Sequence, residues 1–487
     1  MGFGREIQRL LAGFLIAFLG IACAAAYWAA TGSDTLLSRD DNPRRVIAEE
    51  SLQRGALYDR NGTPMAISVV QLNGRVQRRY LEPSTYGALG YFSNRYGVAG
   101  AEAAYNTVLR GDDLKINLAQ TLTNQLLHRP QRGSDVELSI DLSVQNAISN
   151  AMRGQTGAVI VMSIPSGDIL GMVSLPRYDP NLLDEQWQTL TIDPGNPYFN
   201  RALQSRYQPG AALQTPLMAA ALLMDRPLDD PIADATAPVQ LGSLTLECAA
   251  RLPALDLSLR EAYAFACPHP FQELAEQMQI DVIQATFDTF QLENTPTLPG
   301  FVVLNADGTA ETPMPSTTPT PTLLNSSSYV DNALGQGTQT VTPLMMAMIA
   351  AAIINDGNTP QPNALLAVRA PENTEWIPSV TTSPTIPITT AGTASRMQDL
   401  MRGAVANGAA QNAGRPDIDI GGHAALAYSG DSTLAWFIGF ATLGGRDAVA
   451  VAVVLENSRD PGLAADIGGT ALQSAGDAFR AAASTPR

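Results

Sequence analysis

The histidines, cysteines and lysines of this sequence, which could act as catalytic bases, nucleophiles or metal ligands, are few and far apart. The three histidines are His128, His269 and His423, and the three cysteines are Cys23, Cys248 and Cys267. Neither set has the short paired spacing that a zinc site or a disulfide-rich scaffold needs. The sequence holds one lysine, Lys115, so no lysine general base follows it in the chain. We therefore expect no metal and no cofactor.

The composition is that of a folded, acidic protein. Hydrophobic residues make up 45% and charged residues 16%, which is too apolar for a disordered chain. The formal net charge of -16 argues against nucleic acid as a partner, because phosphate binding needs a basic face. At 487 residues the chain is too long for one core, so we expect more than one folded unit.

The N-terminal residues predict a membrane anchor. Residues 10–30, LLAGFLIAFLGIACAAAYWAA, carry no charge and are long enough to cross a hydrocarbon core of roughly 30 Å as a helix. Arginines precede this stretch and an aspartate follows it, so the positive-inside rule leaves residues 1–9 in the cytoplasm. A cleaved signal peptide and a lipoprotein signal at Cys23 are the rival interpretations. We favour a single-pass protein of the cell membrane whose remaining chain is extracytoplasmic.

The chain beyond the anchor predicts two folded parts. Residues 31–135 predict a small β-rich stalk module, in which Asn61-Gly62 lies between two alternating apolar runs and predicts a tight hairpin. A second domain is predicted over residues 136–487, where Asp141 is expected to cap the first helix. A Thr- and Pro-rich insertion is predicted near 294–323.

The second domain is predicted to have strand pairs at both of its ends. GAVIVMSIPSGDILGMVS predicts a hairpin that turns at residues 165–168. AWFIGFA and DAVAVAVVLEN predict two further strands on either side of Gly444 and Gly445. The stretches between these pairs have apolar residues at helical spacing. This order predicts one α+β domain closed by its terminal strands.

Over nearly the whole predicted extracytoplasmic chain, the sequence resembles the class B penicillin-binding proteins. The matching stretches, in the family's order, include RGALYDRNGTPMA at 54–66, LSIDLSVQNAI, GAVIVMSIPSGDILGMVSLPRYDPN, LGQGTQTVTPLMMAMIAAAIINDG and AWFIGFA. The resemblance implies a penicillin-binding-protein and serine β-lactamase-like transpeptidase domain behind a dimerisation-like stalk module. It also implies an anchored division or elongation factor that cross-links peptidoglycan stem peptides by acyl transfer.

The family performs this reaction with S-x-x-K, S-x-N and K-T-G motifs, in which a lysine one helical turn from the serine takes its proton. The matching positions are Ala211 and Gln214 for the first motif, Ala266 and Pro268 for the second, and His423, Ala424 and Ala425 for the third. An alanine offers no nucleophile, and a neutral amide cannot accept the proton. The resemblance therefore implies an emptied site to which no catalytic residue of the family carries over.

Three functions remain open. The favoured one is an inactive homologue that acts as a scaffold or regulator beside envelope-synthesis or division proteins, by analogy with its family. The second is an active D,D-transpeptidase-like enzyme in which His423 and a hydroxyl of Ser205, Thr215 or Ser429 replace the lost motifs. The third is a non-catalytic binder of peptidoglycan peptides, which the missing lysine clamp disfavours.

Two of the cysteines leave two alternatives open. An oxidising exterior permits a disulfide between Cys248 and Cys267. Two separately buried thiols are the favoured interpretation, because free cysteine is among the residue types that are most often buried.

Overall fold

A computed structural model describes most of the chain. It covers residues 3–37, 50–112, 131–301, 303–304, 310–311, 328–379 and 385–484. Lys115, His128 and much of the predicted insertion at 294–323 lie outside the described residues. The chain divides into a smaller unit (Met1–Gln53, Val69–Gln77 and Lys115–Arg132) and a larger unit (Arg54–Ser68, Arg78–Leu114 and Gly133–Arg487).

Helices and short strands follow one another along the chain. The helices are α1 (Phe3–Leu37), α2 (Tyr86–Leu89), α3 (Gly100–Ala104), α4 (Asn106–Arg110), α5 (Leu142–Ala151), α6 (Leu183–Ile192), α7 (Gln214–Leu223), α8 (Leu259–Ala264), α9 (Pro268–Thr289), α10 (Tyr329–Ala333), α11 (Pro343–Ile354), α12 (Ala391–Asn407) and α13 (Pro461–Ser484). The strands are β1 (Leu57–Tyr58), β2 (Pro64–Val70), β3 (Val76–Tyr80), β4 (Phe92–Ser93), β5 (Gly97–Val98), β6 (Asp135–Leu138), β7 (Gly157–Ile164), β8 (Ile169–Leu175), β9 (Pro231–Ile232), β10 (Val239–Leu241), β11 (Leu244–Leu246), β12 (Leu257–Ser258), β13 (Val303–Leu304), β14 (Ala310–Glu311), β15 (Asn358–Thr359), β16 (Leu365–Arg369), β17 (Ile377–Pro378), β18 (Ile386–Pro387), β19 (Asp419–Ser429), β20 (Ser432–Gly444) and β21 (Asp447–Leu455).

Helix α1 contains an apolar segment that overlaps the predicted anchor. Ile7–Ala25 has a mean hydropathy of 2.0 and is not buried inside the protein. Its 19 residues span about 28 Å as a helix, which is close to the thickness of a hydrocarbon core. Among the described residues, this is the one helix with the length and composition to cross a membrane.

A six-stranded sheet has the order β17-β16-β6-β1-β2-β3. The predicted hairpin at Asn61-Gly62 is confirmed, because β1 and β2 pair antiparallel and Gly62 has a φ of 78°. Asp59 stabilises the turn because its carboxylate accepts hydrogen bonds from the backbone N–H groups of Asn61 and Thr63. Strands β16 and β17 come from far beyond residue 136 and complete this sheet.

A buried ion cluster supports the same region. Glu102 of α3 accepts hydrogen bonds from Arg54 at 2.8 Å and from Arg78 of β3 at 2.6 Å, and all three side chains are at most 3% exposed. Burial alone would raise the pKa of Glu102, but the charges of Arg78 and Arg54 outweigh it and hold the pKa below its usual value. Glu102 is therefore ionised and links the two arginines.

The second sheet has five antiparallel strands in the order β19-β20-β21-β7-β8. The predicted hairpins β7–β8 and β20–β21 are confirmed. Strand β21 pairs with β7 from Ala448 opposite Ile164 to Leu455 opposite Gly157. Strands from the two ends of the domain thus close one sheet, and the predicted α+β class is confirmed.

Both faces of this sheet are buried. On one face Ala158 and Ile160 of β7 join a core that includes α7, α9 and α11. On the other face Val159 and Val161 pack with α5 and α13. Because neighbouring side chains of a strand point to opposite faces, every residue of β7 is apolar or small and buried. Asp141 caps α5 as predicted, by accepting the N–H of Ser143.

Candidate active site

Three separate segments meet where the resemblance placed the family's motifs. Ala211 lies in the turn before α7, and Gln214 is the first residue of that helix. Ala266 and Pro268 lie at the junction of α8 and α9. His423, Ala424 and Ala425 lie on β19. Hydrogen bonds join the first segment to each of the other two. The chain therefore retains a common site for these positions, although they are far apart in sequence.

His423 is fully buried and faces Ala211. Its Nε2 lies 3.1 Å from the carbonyl oxygen of Ala211, so Nε2 carries the proton and donates it. The ring stacks on Tyr263 of α8, with the centroids 4.3 Å apart and an interplanar angle of 9°. Burial lowers the pKa of His423 to about 4, although the bond to Ala211 acts in the opposite direction. At neutral pH the ring is therefore an uncharged and weak base.

Gln214 is the residue that the resemblance matched to the family's first lysine. Its Nε2 donates to the carbonyl oxygen of Cys267 at 3.1 Å. Its Oε1 is buried and has no hydrogen-bond partner among the described residues. An amide neither gains nor loses a proton near neutral pH. Gln214 therefore holds the second segment beside the first but cannot activate a nucleophile.

A disulfide joins Cys248 to Cys267. The favoured interpretation of two separate thiols is therefore wrong. The two loops are neighbours because the backbone N–H of Ala249 donates to the carbonyl oxygen of Phe265 at 3.0 Å, just before the second cysteine. Among the described cysteines, Cys23 of α1 remains a free thiol. The disulfide attaches the segment after β11 to the wall of the site.

The hydroxyls predicted as alternative nucleophiles are engaged in other hydrogen bonds or are exposed to solvent. Thr215 is buried and its Oγ1 lies 3.0 Å from the hydroxyl of Tyr263. Ser205 bonds to a neighbouring tyrosine, and Ser429 is exposed at the end of β19. Within the described chain, the hydrogen bond of His423 goes to a backbone carbonyl and to none of these hydroxyls. The hydroxyl–histidine pair of the second interpretation is not formed.

The turn that carries Ala211 is packed directly against β19. Gly210 has a φ of 52°, and a Cβ at this position would lie 2.3 Å from the carbonyl oxygen of Leu426. A glycine is therefore required there. The indole N–H of Trp436 on β20 donates to the carbonyl oxygen of Gln208 at 3.0 Å and fixes the residues that lead into the turn.

A cleft of about 10 Å³ remains between the three segments, which is about the space that one water molecule needs. Its lining residues are Ala211, Gln214, Leu246, Glu247, Pro268, Leu334, Gln336, Leu426 and Tyr428. None of these described residues is a serine, threonine, lysine or arginine, and Glu247 is the one charged residue among them. No group of three or more histidine, cysteine or acidic residues in the described chain could hold a metal ion.

Three further residues of the site, Tyr263, Glu247 and Tyr428, were not predicted from the sequence. Glu247 precedes Cys248, so favouring the disulfide would have placed this carboxylate beside the second motif. Tyr263 lies within the predicted helix LREAYAFA, where an aromatic residue also fits an ordinary core position. Tyr428 lies on β19, five residues beyond His423, and no sequence signal singles it out.

Two family models match the chain. Residues 157–471 match the penicillin binding protein transpeptidase domain, which is more than half of the chain. Residues 54–136 match the penicillin binding protein A dimerisation domain.

Individual proteins are similar over most of the same length. The peptidoglycan D,D-transpeptidase PbpA of Mycobacterium tuberculosis is 29% identical over 480 residues, which cover 91% of this chain and 93% of that protein. PbpA of Mycolicibacterium smegmatis is 29% identical over 390 residues, covering 75% of this chain and 76% of that one. The imipenem acyl-enzyme structure of penicillin-binding protein A from M. tuberculosis has a TM-score of 0.73 at 28% identity, and covers 88% of this chain and 99% of the other.

Proposed function

Since the chain belongs to the family of class B penicillin-binding proteins, we propose that it is a catalytically inactive member that acts as a scaffold or regulator in peptidoglycan synthesis. The protein acts in the cellular setting of its family but does not catalyse the family's reaction. Its domain on the outer face of the membrane serves to hold or adjust other proteins there.

The lining of the cleft is the observation that supports inactivity. The segments that the resemblance matched to the three motifs converge, which supports that matching. Among the described residues that line the cleft between them, there is nevertheless no serine, threonine or lysine. Acyl transfer by this family needs both a hydroxyl nucleophile and a lysine.

The side chains at the matched positions do not supply a nucleophile or a general base. Ala211 presents a methyl group where the serine oxygen is needed. Gln214 is neutral, and the pKa of His423, about 4, makes it a poor base at neutral pH. The proton of His423 is already donated to the carbonyl of Ala211. None of the lining residues that the structure describes is a cation that could bind the carboxylate of a peptide or a penicillin.

The cellular placement follows from helix α1 and the family. The apolar segment Ile7–Ala25 fits a single-pass anchor in the cell membrane, with the larger part of the chain outside. In this position the chain lies beside active homologues and other proteins of envelope synthesis or cell division, which we propose as its partners by analogy.

An active enzyme remains the second candidate because the similar PbpA proteins are named D,D-transpeptidases. It requires a nucleophile other than the family's serine, of which Ser205, Thr215 and Ser429 are the nearest predicted options. A non-catalytic binder of peptidoglycan peptides is the third, and the uncharged or acidic lining of the cleft disfavours a peptide carboxylate.

Covalent labelling separates these candidates. The full-length chain in detergent is incubated with a fluorescent penicillin and its intact mass is measured. We expect an unmodified mass, because the acyl-enzyme bond has no oxygen at Ala211 on which to form. PbpA of M. tuberculosis, whose penicillin G acyl-enzyme complex is known, is the positive control.

A stoichiometric adduct on this chain would contradict the proposal. Peptide mapping of that adduct would then name the substitute nucleophile. An adduct that also formed on the Thr215→Val and Ser429→Ala variants would point to Ser205 or to a residue not considered.

A further inference from the structure

The turn that joins β2 to β3 exposes apolar side chains at its tip. Leu72 is fully exposed, Val70 is 53% exposed and Val69 is 37% exposed. The turn itself is hydrogen-bonded, because the backbone N–H of Gln71 donates to the carbonyl oxygen of Arg75 at 2.8 Å. An ordered hairpin therefore presents three neighbouring apolar side chains to its surroundings, which is the kind of patch that marks an interaction site.

The charge of the same stretch is opposite to that of the whole protein. Residues 69–79, VVQLNGRVQRR, contain three arginines and no acidic residue, whereas the full chain has a formal net charge of -16. Arg78 is buried with Glu102, but Arg75 and Arg79 are exposed. Apolar side chains that enter the headgroup region and cations that attract anionic headgroups together bind a peripheral segment to a bilayer. The tip has both kinds of side chain.

The hairpin is joined to the segment that comes from the membrane anchor. The Nε of Arg75 lies 3.2 Å from a carboxylate oxygen of Glu50, the first described residue after the stretch 38–49 that follows α1. Those twelve residues span at most about 45 Å when fully extended. The turn is therefore held next to the point where the chain returns from the anchor, within the reach of this linker from the end of α1.

A second copy of the chain does not account for this tip. Three side chains of this size expose a few hundred square ångströms. A stable protein–protein interface buries roughly 1,200–2,000 Å² in total, which two such tips together do not reach. A lipid surface has no such requirement, because its headgroup region accepts apolar side chains and the charged heads of arginines at the same time.

We propose that the tip of the β2–β3 turn is a second membrane contact of the chain, which inserts into the headgroup region of an anionic phospholipid bilayer. The inserted side chains are Val69, Val70 and Leu72, and the exposed cations beside them are Arg75 and Arg79. The contact gives the chain a point of attachment besides α1 and so limits its rotation about the linker. The inference rests on the proposed function only for the placement of α1 in the membrane, and does not depend on whether the protein is inactive.

The test places one fluorescent label on the tip of the full-length chain. Cys23→Ser removes the free thiol of α1, and Leu72→Cys then supplies the one reactive thiol, because Cys248 and Cys267 are joined. Leu72 is fully exposed, so its replacement removes no packing. The labelled protein is reconstituted into vesicles of phosphatidylcholine and phosphatidylglycerol, with and without a spin-labelled lipid as quencher. We expect the spin-labelled lipid to reduce the fluorescence at least about twofold, because the tip lies among the headgroups.

Two control positions use the same label and quencher. The natural thiol of Cys23 lies within the apolar segment Ile7–Ala25 and should be quenched, which reports on the anchor alone. Arg446→Cys, made together with Cys23→Ser, places the label in the exposed turn between β20 and β21. This turn has no large exposed apolar side chain, so its label should not be quenched.

Two further changes separate insertion of the protein from insertion of the label. Val70→Ser and Arg79→Gln are each made in the labelled Leu72→Cys chain, and both side chains are exposed, so neither change disturbs the core. Each should reduce the quenching about twofold, the first because apolar area is lost and the second because a cation is lost. Vesicles of phosphatidylcholine alone should have the same effect as Arg79→Gln. Quenching that none of these changes alters would overturn the inference.

The other contrary results are also distinct. A tip label that is not quenched, beside a quenched label at Cys23, would overturn the second contact and leave the anchor in place. Labels that are unquenched at both positions would overturn it together with the placement of α1. An emission change that grows with protein density, and not with spin-labelled lipid, would assign the tip to a second copy of the chain and overturn the lipid contact. A penicillin adduct, which contradicts the proposed inactivity, would change none of these results.

Discussion

The buried histidine beside Ala211, His423, makes the stability of the protein depend on pH. In the unfolded chain His423 has its ordinary pKa of 6.5, whereas burial lowers the pKa to about 4 in the folded protein. As the pH falls below 6.5, the unfolded chain takes up a proton that the folded protein binds only near pH 4. The free energy of unfolding therefore decreases as the pH falls through this window. The contribution of His423 to stability is complete only above the pKa of the unfolded chain.

The magnitude follows from the difference between the two pKa values. One pKa unit corresponds to about 1.4 kcal/mol, so the complete loss is about 3 kcal/mol. Between pH 7 and pH 5 the linkage relation gives a loss of about 2 kcal/mol from this one side chain. This is a large share of the 5–15 kcal/mol that is typical of a folded domain.

The assay compares the wild type with His423→Gln by urea unfolding of the full-length chain in detergent, followed by tryptophan fluorescence. Glutamine retains an N–H donor toward the carbonyl of Ala211 but does not titrate. Carboxylates contribute equally to the pH dependence of both proteins. The difference between the two free energies of unfolding therefore changes with pH only because of the histidine. We expect the wild type to lose about 2 kcal/mol more than His423→Gln between pH 7 and pH 5.

An internal control and a refuting result complete the experiment. His269, whose side chain is 27% exposed, is present in both proteins and cancels in their difference. If the wild type and His423→Gln gave parallel stability curves, the histidine would not be buried and neutral as described. The stacking on Tyr263 and the bond to Ala211 would then be wrong as well.

Two other features give simpler tests. Glu102→Gln should lower the free energy of unfolding by about 3–5 kcal/mol because it leaves two buried arginines without their charge partner, whereas Asp477→Asn in an exposed ion pair should cost under about 1 kcal/mol. A similar loss for both variants in urea unfolding would refute the buried cluster. Alkylation of the unfolded, unreduced chain should add one label, at Cys23, and three after reduction; three labels without reduction would show that Cys248 and Cys267 are not joined. Replacing both of these cysteines by alanine should cost about 3 kcal/mol, because the disulfide closes a loop with a sequence separation of 19.

The features predicted correctly from the sequence are those with local causes. Asn61-Gly62 forms a hairpin because the turn itself requires a residue that tolerates positive φ. Asp141 caps its helix through groups two and three residues away. The terminal strand pairs were readable because each combines β-rich apolar runs with a short turn.

The features that the sequence left open depend on contacts between distant parts of the chain. The bond from His423 to Ala211 joins residues 212 positions apart, and the ring that stacks on His423 belongs to a third segment. The two cysteines were assigned as separate thiols because burial of each is common, and nothing local shows that their loops are neighbours. The loss of the motif residues remains a prediction from the resemblance, to which the structure adds only that their positions converge.

The order of strands in the five-stranded sheet has a consequence for the time course of synthesis. Strands β7 and β8 are synthesised early, but the second neighbour of β7 is β21. Strand β21 begins roughly 270 residues after Leu175, the last residue of β8. At typical rates of translation this is a delay on the order of tens of seconds. During this delay β7 presents an apolar, unpaired edge, which is the kind of edge that aggregates. A chain truncated before Asp447 would keep every residue of the cleft and still be unable to close the sheet that supports it.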